Sequence, residues 1–501
     1  MNQSAAPELI DMNAVRIDPA WALRIPAQLA LRRSVLPFSL IEGHVLVACL
    51  DENDLQSLQA VERYLKAPIR PCAAEPASLD SAIRQIFGGQ LAGRGAGRPV
   101  RASVSNMRPG AEPDSEDIVA LCDELLHAAV IRGASDLHID PGPEVVRVRL
   151  RVDGVLEDYR QLPKVAHQAL ISRLKVLSGI DIAERRAPQD GRFSLRVDAE
   201  REIDIRSAAL PTRHGERLTL RLLATKTGEL TLERLGMVKH DLATFEAAID
   251  KPHGLVLLTG PTGSGKSTTL YAAIRRLIGH RPLNVLTIEN PIEYEIDGVA
   301  QVEVDTADKV SFTKALRSIL RHDPDVIMIG EIRDAETADV AIKSALTGHL
   351  VFSTLHTNSA ANAITRLVDM GLEAYLVGAT LRLTVAQRLV RRVCARCRTP
   401  RELTAPEAAA LGAPQAAGST VYEPKGCMFC AGRGYTGRLG LFEMISIDED
   451  FSRAISSGVP EAEIVRMARA QKIPRLVDDA IQKLLAGDTT YSEILAAVTV
   501  W

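Results

Sequence analysis

The chain has 501 residues, of which 46% are apolar, 25% charged and 4% aromatic. At roughly 150 residues per domain this length predicts several domains, and the ordinary apolar fraction excludes a disordered, collagen-like or disulfide-stapled protein. Its 60 basic and 63 acidic side chains give a formal net charge of −3, which excludes a chain-wide basic surface for gripping nucleic acid.

The first residues, MNQSAAPELIDMN, are polar and acidic, unlike an export signal. No apolar run approaches the roughly 18 residues that would span a bilayer. We therefore expect a cytoplasmic protein whose contact with a membrane is indirect, through partners.

Residues 1–88 predict a small N-terminal α/β module in which the run from Val35 forms two strands around a turn at Glu42-Gly43. Residues 89–115 are rich in Gly, Ala, Arg, Pro and Ser and lack apolar periodicity, which predicts a flexible linker. Its arginines suit an electrostatic contact, but a solvated tether is the favoured interpretation.

The second predicted domain covers residues 116–235. Acidic residues precede an apolar helical pattern from Ile118, which predicts a helix that ends at Gly133. The segments that start at Glu144 and Glu202 alternate apolar and polar residues, which predicts paired strands. Three arginines lie on the strands of the later segment: Arg206, Arg217 and Arg221. By the pattern alone they belong to a solvated strand face.

In residues 236–385 strands alternate with helical stretches, which predicts a parallel sheet with helices on both faces. Residues 386–440 contain two cysteine pairs and several glycines, which indicate a small metal-held subdomain. Residues 441–501 carry amphipathic patterns that predict a C-terminal helical subdomain.

A glycine-rich segment, GPTGSGKS, matches the phosphate-loop pattern G-x-x-x-x-G-K-[ST] at every specified position. It follows an apolar strand and opens a helix, the order in which backbone N–H groups and the helix N-terminus can cradle phosphates. We expect Lys266 to bind the β- and γ-phosphates of ATP and the Ser267 hydroxyl to bind Mg²⁺. The predicted nucleotide-binding loop comprises Gly260, Pro261, Thr262, Gly263, Ser264, Gly265, Lys266, Ser267 and Thr268.

Acidic residues follow two further predicted strands. Glu331 comes directly after the apolar run from Val326, and Glu289 and Glu293 end the segment from Asn284. Ligands bind at the carboxyl ends of strands in open α/β sheets. Glu331 is therefore predicted to orient or deprotonate the attacking water, or to hold Mg²⁺ through water. The other two acids are predicted metal or water ligands, with a solvated acidic loop as the alternative.

A third apolar strand, from Gly348, leads to His356. This histidine is predicted to contact or sense the γ-phosphate, with a purely structural role as an equal alternative. His349, at the opposite end of the same strand, is interpreted as structural.

The cysteine pairs are Cys-x2-Cys motifs, a spacing typical of a closed tetrahedral zinc site made of four thiolates. An iron–sulfur centre or free thiols are the alternatives. The predicted zinc ligands are Cys394, Cys397, Cys427 and Cys430.

Taken together, these motifs resemble the secretion ATPases of the type II (general secretory pathway) system, and more broadly the type II/IV secretion and type IV pilus assembly ATPases. The resemblance covers residues 115–500, and the N-terminal module looks like the partner-docking domain of that family. The family's Walker A, Asp box, Walker B and histidine box match Gly260 to Ser267, Thr287 to Glu293, Val326 to Glu331 and Thr347 to Asn358.

The Asp box departs from the family at Asn290, which occupies the aspartate position and leaves the acidic role to Glu289 and Glu293. The family's nucleotide-contacting arginines match Arg206 in a D-x-R strand, and Arg217 with Arg221 in a G-E-R-x-x-x-R strand. A guanidinium can neutralise charge that develops on the γ-phosphate.

The resemblance implies a RecA-like phosphate-loop ATPase domain preceded by a PAS-like α+β domain, in a homo-oligomer of six subunits. It also implies work with inner-membrane partners, a bitopic protein with a cytoplasmic docking domain and a polytopic platform protein, to assemble a pseudopilus and export folded proteins. A type IV pilus assembly ATPase is the alternative within this class. A zinc-bearing DNA translocase is disfavoured by the net charge, the few aromatic residues and the lack of a helicase-type DExx motif.

Overall fold

The computed structural model describes residues 9–92, 115–197, 202–223, 231–304 and 312–498. It divides into two compact units. The first unit comprises Met1–Thr225, Cys394–Thr399 and Pro424–Thr436, and the second comprises Lys226–Val393, Pro400–Glu423 and Gly437–Trp501. Most of the predicted linker, residues 93–114, lies outside the described residues. Among the helices that are described, none combines the length and apolar character needed to cross a membrane.

The N-terminal module is a three-stranded sheet packed against helices. Its elements are α1 (Pro19–Ala22), α2 (Ala27–Arg33), β1 (Val35–Ile41), β2 (His44–Cys49), α3 (Leu55–Leu65), β3 (Ile69–Ala73) and α4 (Pro76–Ala92). β1 and β2 are antiparallel, and β2 and β3 are parallel. The predicted turn is confirmed: Glu42 and Gly43 have φ angles of 51° and 81°, as a two-residue hairpin turn with a right-handed strand twist requires.

The second part of the first unit is a six-stranded sheet covered on one face by two helices. Its elements are α5 (Ser115–Ile131), β4 (Ala134–Pro141), β5 (Val145–Val152), β6 (Val155–Pro163), α6 (His167–Leu177), β7 (Gln189–Arg196), β8 (Glu202–Thr212) and β9 (Gly215–Leu222). The strand order is β6-β5-β4-β9-β8-β7. Alternation buries Val146, Val148 and Leu150 in the same core as the apolar side of α5. The predicted strands, and a helix that ends before Gly133, are confirmed.

The second unit is built on a seven-stranded sheet. Its first elements are α7 (Lys239–Ile249), β10 (Gly254–Thr259), α8 (Lys266–His280), β11 (Val285–Glu289), β12 (Ala300–Glu303), α9 (Phe312–Ile319), β13 (Val326–Ile329), α10 (Ala335–Leu346), β14 (Leu350–Leu355), α11 (Ala360–Asp369), α12 (Ala374–Thr380) and β15 (Leu381–Val393). These six strands pair in parallel, in the order β12-β11-β13-β14-β10-β15. The predicted parallel sheet is therefore confirmed.

The rest of the described chain adds a small two-stranded sheet with one short helix, the last strand of the large sheet and four C-terminal helices. These elements are β16 (Arg398–Glu402), α13 (Ala405–Ala410), β17 (Thr420–Pro424), β18 (Tyr435–Ser446), α14 (Glu449–Ser456), α15 (Glu461–Ala470), α16 (Leu476–Leu485) and α17 (Tyr491–Val498). β18 is hydrogen-bonded beside β15 at the edge of the large sheet. The four helices confirm the amphipathic patterns at the C-terminus.

A buried ion pair anchors α16 to β18. Lys483 Nζ lies 2.6 Å from Asp479 Oδ2 and donates to the carbonyl oxygen of Gly440 at 2.7 Å. The same carboxylate oxygen accepts from the backbone N–H of Phe442 at 2.8 Å. Both charged side chains are at most 5% exposed, so each charge depends on the other for compensation.

We predict that Asp479→Ala lowers the free energy of unfolding by about 3 kcal/mol, because it leaves the Lys483 charge buried without a partner. Asp478→Ala is the matched control, since its pair with Arg475 is half-exposed and is worth at most about 1 kcal/mol. Urea unfolding followed by circular dichroism measures both variants. Equal midpoints would show that the buried pair does not anchor the helix.

Candidate functional site

The glycine-rich segment forms a tight loop between β10 and α8. Gly260, Gly263 and Gly265 have φ angles of 150°, 79° and 88°, which side chains with a Cβ rarely adopt. A Cβ on Gly265 would also lie 2.8 Å from Gln387 Nε2. α8 begins at Lys266, so the first backbone N–H groups of this helix face the loop. This is the strand, loop and helix order that binds phosphate.

Lys266 is 8% exposed, and its ammonium group donates to two carbonyl oxygens of its own loop. The Nζ–O distances are 2.7 Å to Gly260 and 3.1 Å to Pro261. Burial, opposed by the carboxylate of Glu331 and aided by the nearby charge of Arg388, lowers the pKa of Lys266 to about 8. Within the described part of the chain no carboxylate forms an ion pair with this buried cation, which is therefore suited to bind phosphate.

Glu331 follows β13 at the same sheet edge and is mostly buried, with 15% of its side chain exposed. Its carboxylate forms an ion pair with Arg333. Its second oxygen lies 3.3 Å from Nε2 of the half-exposed His356. The structure thus brings together two residues that the sequence predicted separately. The sequence did not lead us to predict a role for Arg333, although an arginine two residues after Glu331 in the same loop is well placed to contact that carboxylate.

The predicted ligand Glu289 is 3% exposed, and side chains of the protein surround its carboxylate. The hydroxyl of Tyr271 and that of Thr287 donate to it, the latter at 2.6 Å. Gln301 Nε2 donates to the same oxygen as Thr287, at 3.1 Å. These three donors satisfy much of the accepting capacity of Glu289, so its direct part in holding a metal stays a prediction.

Tyr271 connects this buried carboxylate to the next loop. Its hydroxyl oxygen accepts from the backbone N–H of Glu293 at 3.3 Å, and its ring packs edge-on against Tyr294 with 4.4 Å between centroids. Burial raises the pKa of Tyr271, so the hydroxyl keeps its proton and donates to Glu289. Tyr271 was not predicted from the sequence, where it is one apolar-face residue of a helix. Its side chain links the positions of Glu289 and Glu293.

The loop after β14 carries His356 and is tied to the end of β10. The hydroxyl oxygen of Thr259 accepts from the backbone N–H of Thr357 at 2.8 Å. Ser353 and Thr354 donate to the carbonyl oxygens of Ile329 and Gly330, which fixes β14 against the loop of Glu331. The other histidine of this strand, His349, lies 2.9 Å from the carbonyl oxygen of Ser344 through Nδ1, a contact of the kind expected for a structural role.

The arginines of the second domain share one face of the six-stranded sheet. Arg206 and Arg221 are direct partners across β8 and β9. Arg221 Nε lies 3.0 Å from Asp136 Oδ1, and Arg217 Nε lies 2.8 Å from Asp140 Oδ1. The side chain of Arg221 is 61% exposed, so its ion pair leaves much of the guanidinium accessible. Acids on β4 therefore hold two of these arginines on a face that is rich in positive charge.

The four cysteines of the two predicted pairs form one cluster in the first unit. Their sulfur atoms all lie within 4.8 Å of one another. Sγ–Sγ distances are 3.8 Å for Cys394–Cys427 and Cys427–Cys430, and 3.9 Å for Cys397–Cys430. Four sulfurs at about 2.3 Å from a tetrahedral zinc would be about 3.8 Å apart. The donor set and spacing therefore fit a closed tetrahedral metal centre.

Backbone N–H groups complete this cluster. Gly426 donates to Cys397 Sγ at 3.3 Å and Gly434 donates to Cys430 Sγ at 3.1 Å. Gly426 has a φ of 98°, and a Cβ there would lie 2.5 Å from the carbonyl oxygen of Gly432. The glycines therefore allow the tight turns that point N–H groups at the sulfurs, as metal-bound thiolates require.

The second cysteine pair also packs on the N-terminal module. Met428 and Phe429, between Cys427 and Cys430, contact the apolar core of that module. Arg433, three residues after Cys430, is mostly buried, and its Nε lies 3.1 Å from Glu157 of β6. The cysteine cluster is thus part of the packing of the first unit.

A family model and similar protein sequences both relate the chain to secretion system proteins. The family model "Type II/IV secretion system protein" matches residues 111–496, and a model of the MshEN domain matches residues 7–93. The type II secretion system protein E of Pseudomonas aeruginosa is 40% identical over 483 residues, covering 94% of this chain and 95% of that protein. The type II secretion system ATPase E of Vibrio cholerae serotype O1 is 42% identical, covering 76% of this chain and 75% of that protein.

A crystal structure of the pilus retraction motor PilT with bound ADP resembles this fold with a TM-score of 0.53. The two sequences are 26% identical, and the match covers 74% of this chain and 95% of that one.

We predict that the affinity for MgADP falls as the pH rises through about 8, because Lys266 loses its proton there and with it the charge that attracts phosphate. Lys266→Arg is the control: its guanidinium stays protonated, so its affinity, although lower, should not depend on pH in this range. Calorimetric titration from pH 6.5 to 9.5 measures both. A similar decline in Lys266→Arg would assign the titration to another group.

We predict that Cys427→Ser abolishes metal binding and loosens the contact of Met428 and Phe429 with the N-terminal module, since the turn between the two cysteines depends on the metal. Atomic emission measures the metal, and hydrogen exchange of residues 35–49 and 424–436 measures the packing. Cys122→Ser, which lies on α5 outside the cluster and outside both monitored segments, should bind metal and exchange there like the parent protein. Unchanged exchange in Cys427→Ser would separate the metal from the packing.

Proposed function

The chain belongs to the type II/IV secretion system protein family, and we propose that it is the ATPase of a type II secretion system, which hydrolyses ATP to drive pseudopilus assembly and the export of folded proteins across the outer membrane. One observation carries the ATPase chemistry: Lys266 and Glu331 lie at the same edge of a parallel sheet, close enough for the carboxylate to oppose the lowering of the Lys266 pKa. Phosphate binding and activation of water thus share one site.

The proposed roles follow from these positions. The loop of Gly260 to Gly265 and the N-terminus of α8 bind the phosphates, and Lys266 moves its donors from the loop carbonyls to the β- and γ-phosphates. Ser267 holds Mg²⁺, which neutralises charge on the phosphates when bound. Glu331 orients the attacking water and accepts its proton.

Arg333 and His356 contact the carboxylate of Glu331 from two sides, which fixes its direction. Glu289 is held by its three donors, so we propose that it positions the Glu293 loop through Tyr271. Glu293 is left as the more accessible acid for a metal-bound water. This division suits a chain that has Asn290 where the family has an aspartate.

We further propose that Arg206, Arg217 and Arg221 neutralise negative charge on the nucleotide, in a ring of six subunits. Their placement on one sheet face, with Arg221 largely exposed, supports this role. Four thiolates with tetrahedral spacing support Zn²⁺ at the cysteine cluster, where it would supply a structural cross-link.

Because this cluster packs on the N-terminal module, we propose that movements of the ATPase domain are transmitted through both to inner-membrane partners. These partners would be a bitopic protein with a docking domain and a polytopic platform protein. The protein would then work at the cytoplasmic face of the inner membrane, held there by its partners.

We predict that Glu331→Gln lowers kcat at least about 100-fold while MgATP still binds, because the amide cannot accept the proton of the attacking water. Lys266→Ala should lose both binding and turnover. Phosphate release and calorimetry distinguish the two variants, and Glu336→Gln, an exposed acid on α10, is the control with parent activity. A parent-like kcat in Glu331→Gln would contradict the catalytic assignment.

The cellular role is tested with the same variants in a strain that lacks the gene. The parent gene should restore an extracellular enzyme activity, and Lys266→Ala and Glu331→Gln should not. Restoration of surface pili in place of secretion would instead assign the motor to type IV pilus assembly.

A further inference from the structure

We propose that Arg388 is a positioning residue of the nucleotide site: its guanidinium joins β15, the strand beside the phosphate loop, to the loop after β14 and places a positive charge next to the phosphate loop. This inference rests on the proposed ATPase function and adds a residue to it. Arg388 lies on β15, outside the phosphate loop and the acidic loops, where the sequence shows only an arginine in an apolar strand.

The register of the sheet places Arg388 beside the phosphate loop. β15 pairs in parallel with β10, and Ala386 is the partner of Thr259, the last residue of β10. The next residues, Gln387 and Arg388, therefore run alongside Gly260. A Cβ on Gly260 would lie 2.5 Å from the carbonyl oxygen of Gln387 and 3.1 Å from Arg388 Nη1. The first glycine of the loop is thus in contact with both residues.

The guanidinium of Arg388 connects its own strand, β15, to the loop after β14. Its Nη1 donates to the carbonyl oxygen of Gln387 at 3.0 Å, and its Nη2 donates to the carbonyl oxygen of Asn358 at 3.2 Å. Asn358 lies two residues after His356, in the loop that contacts Glu331. One side chain therefore links the strand beside the phosphate loop to the loop whose His356 contacts Glu331.

The charge of Arg388 is buried and has no close acid. The side chain is 5% exposed, and among the described residues no carboxylate oxygen lies within 4.0 Å of its guanidinium. Glu443 acts on it from a greater distance, and its two oxygens accept from the backbone N–H groups of Ala360 and Leu476. A buried charge without a partner is costly, and phosphate groups in the adjacent loop would compensate it.

The field of Arg388 reaches the phosphate site. It lowers the pKa of Lys266, so the two cations disfavour each other in this structure. A di- or triphosphate between them would turn this repulsion into attraction for both. Because the two positive charges repel each other when no ligand is bound, the site favours a ligand that carries several negative charges.

The experiment compares Arg388→Met and Arg388→Lys with the parent protein in binding MgADP and inorganic pyrophosphate, in MgATP kinetics, and in thermal unfolding without ligand. Arg382→Met is the matched control, because Arg382 lies on the same strand and donates to the carbonyl oxygen of Ala379, away from the phosphate loop. The parent protein must bind MgADP; if it does not, the proposed function fails, independently of Arg388.

We expect Arg388→Met to weaken MgADP and pyrophosphate about tenfold, the scale of one charge-assisted hydrogen bond, with KM for MgATP raised and unfolding little changed. Arg388→Lys should recover part of the affinity because it keeps the charge, and Arg382→Met should behave like the parent. Parent-like affinity in Arg388→Met overturns the proposal, and so does a loss that Arg388→Lys does not reduce. If Arg388→Met does not fold, Arg388→Lys decides: weaker pyrophosphate binding with parent-like unfolding supports the proposal, and unchanged binding overturns it.

Discussion

Parallel strands end at one edge of a sheet, and the candidate site of this protein depends on that constraint. β10, β13 and β14 are neighbours, so the loops that follow them meet. The phosphate loop brings Lys266, the second loop Glu331 and the third His356. Hydrogen bonds from Thr354 to Gly330 and between Thr259 and Thr357 hold these loops together at their bases. The chemistry is therefore fixed by strand order, although its residues are up to 90 positions apart.

The charged side chains at this sheet edge fall into two groups. Nearest the loop, Lys266 is a buried cation whose pKa is lowered, and Glu331 is a carboxylate held by Arg333 and His356. Behind them, Glu289 is enclosed by hydroxyl and amide donors, and Arg388 is enclosed by carbonyl oxygens. All four side chains are largely buried, so each charge depends on the protein groups that contact it.

The cysteine cluster links two parts of the first unit that are distant in sequence. Its ligands are contributed by two short segments late in the chain, and Met428 and Phe429 between the ligands pack on the core of residues 10–87. A small turn has little apolar area of its own, and a metal bound by the four thiolates, as we propose, would cross-link it. This arrangement gives the cluster a structural role in docking the N-terminal module.

The sequence by itself determined the local features: the phosphate loop, the strands and helices around it, and the cysteine pairs with their glycines. These depend on residue type and spacing within about a dozen positions, which a sequence displays directly. The tertiary structure alone decided which groups meet. It brings Arg333 and His356 into contact with Glu331. It also surrounds Glu289 with Tyr271, Thr287 and Gln301, and it places Arg388 beside Gly260. Partners such as these come from separate strands, and their contacts follow from sheet register and burial, which no local pattern encodes.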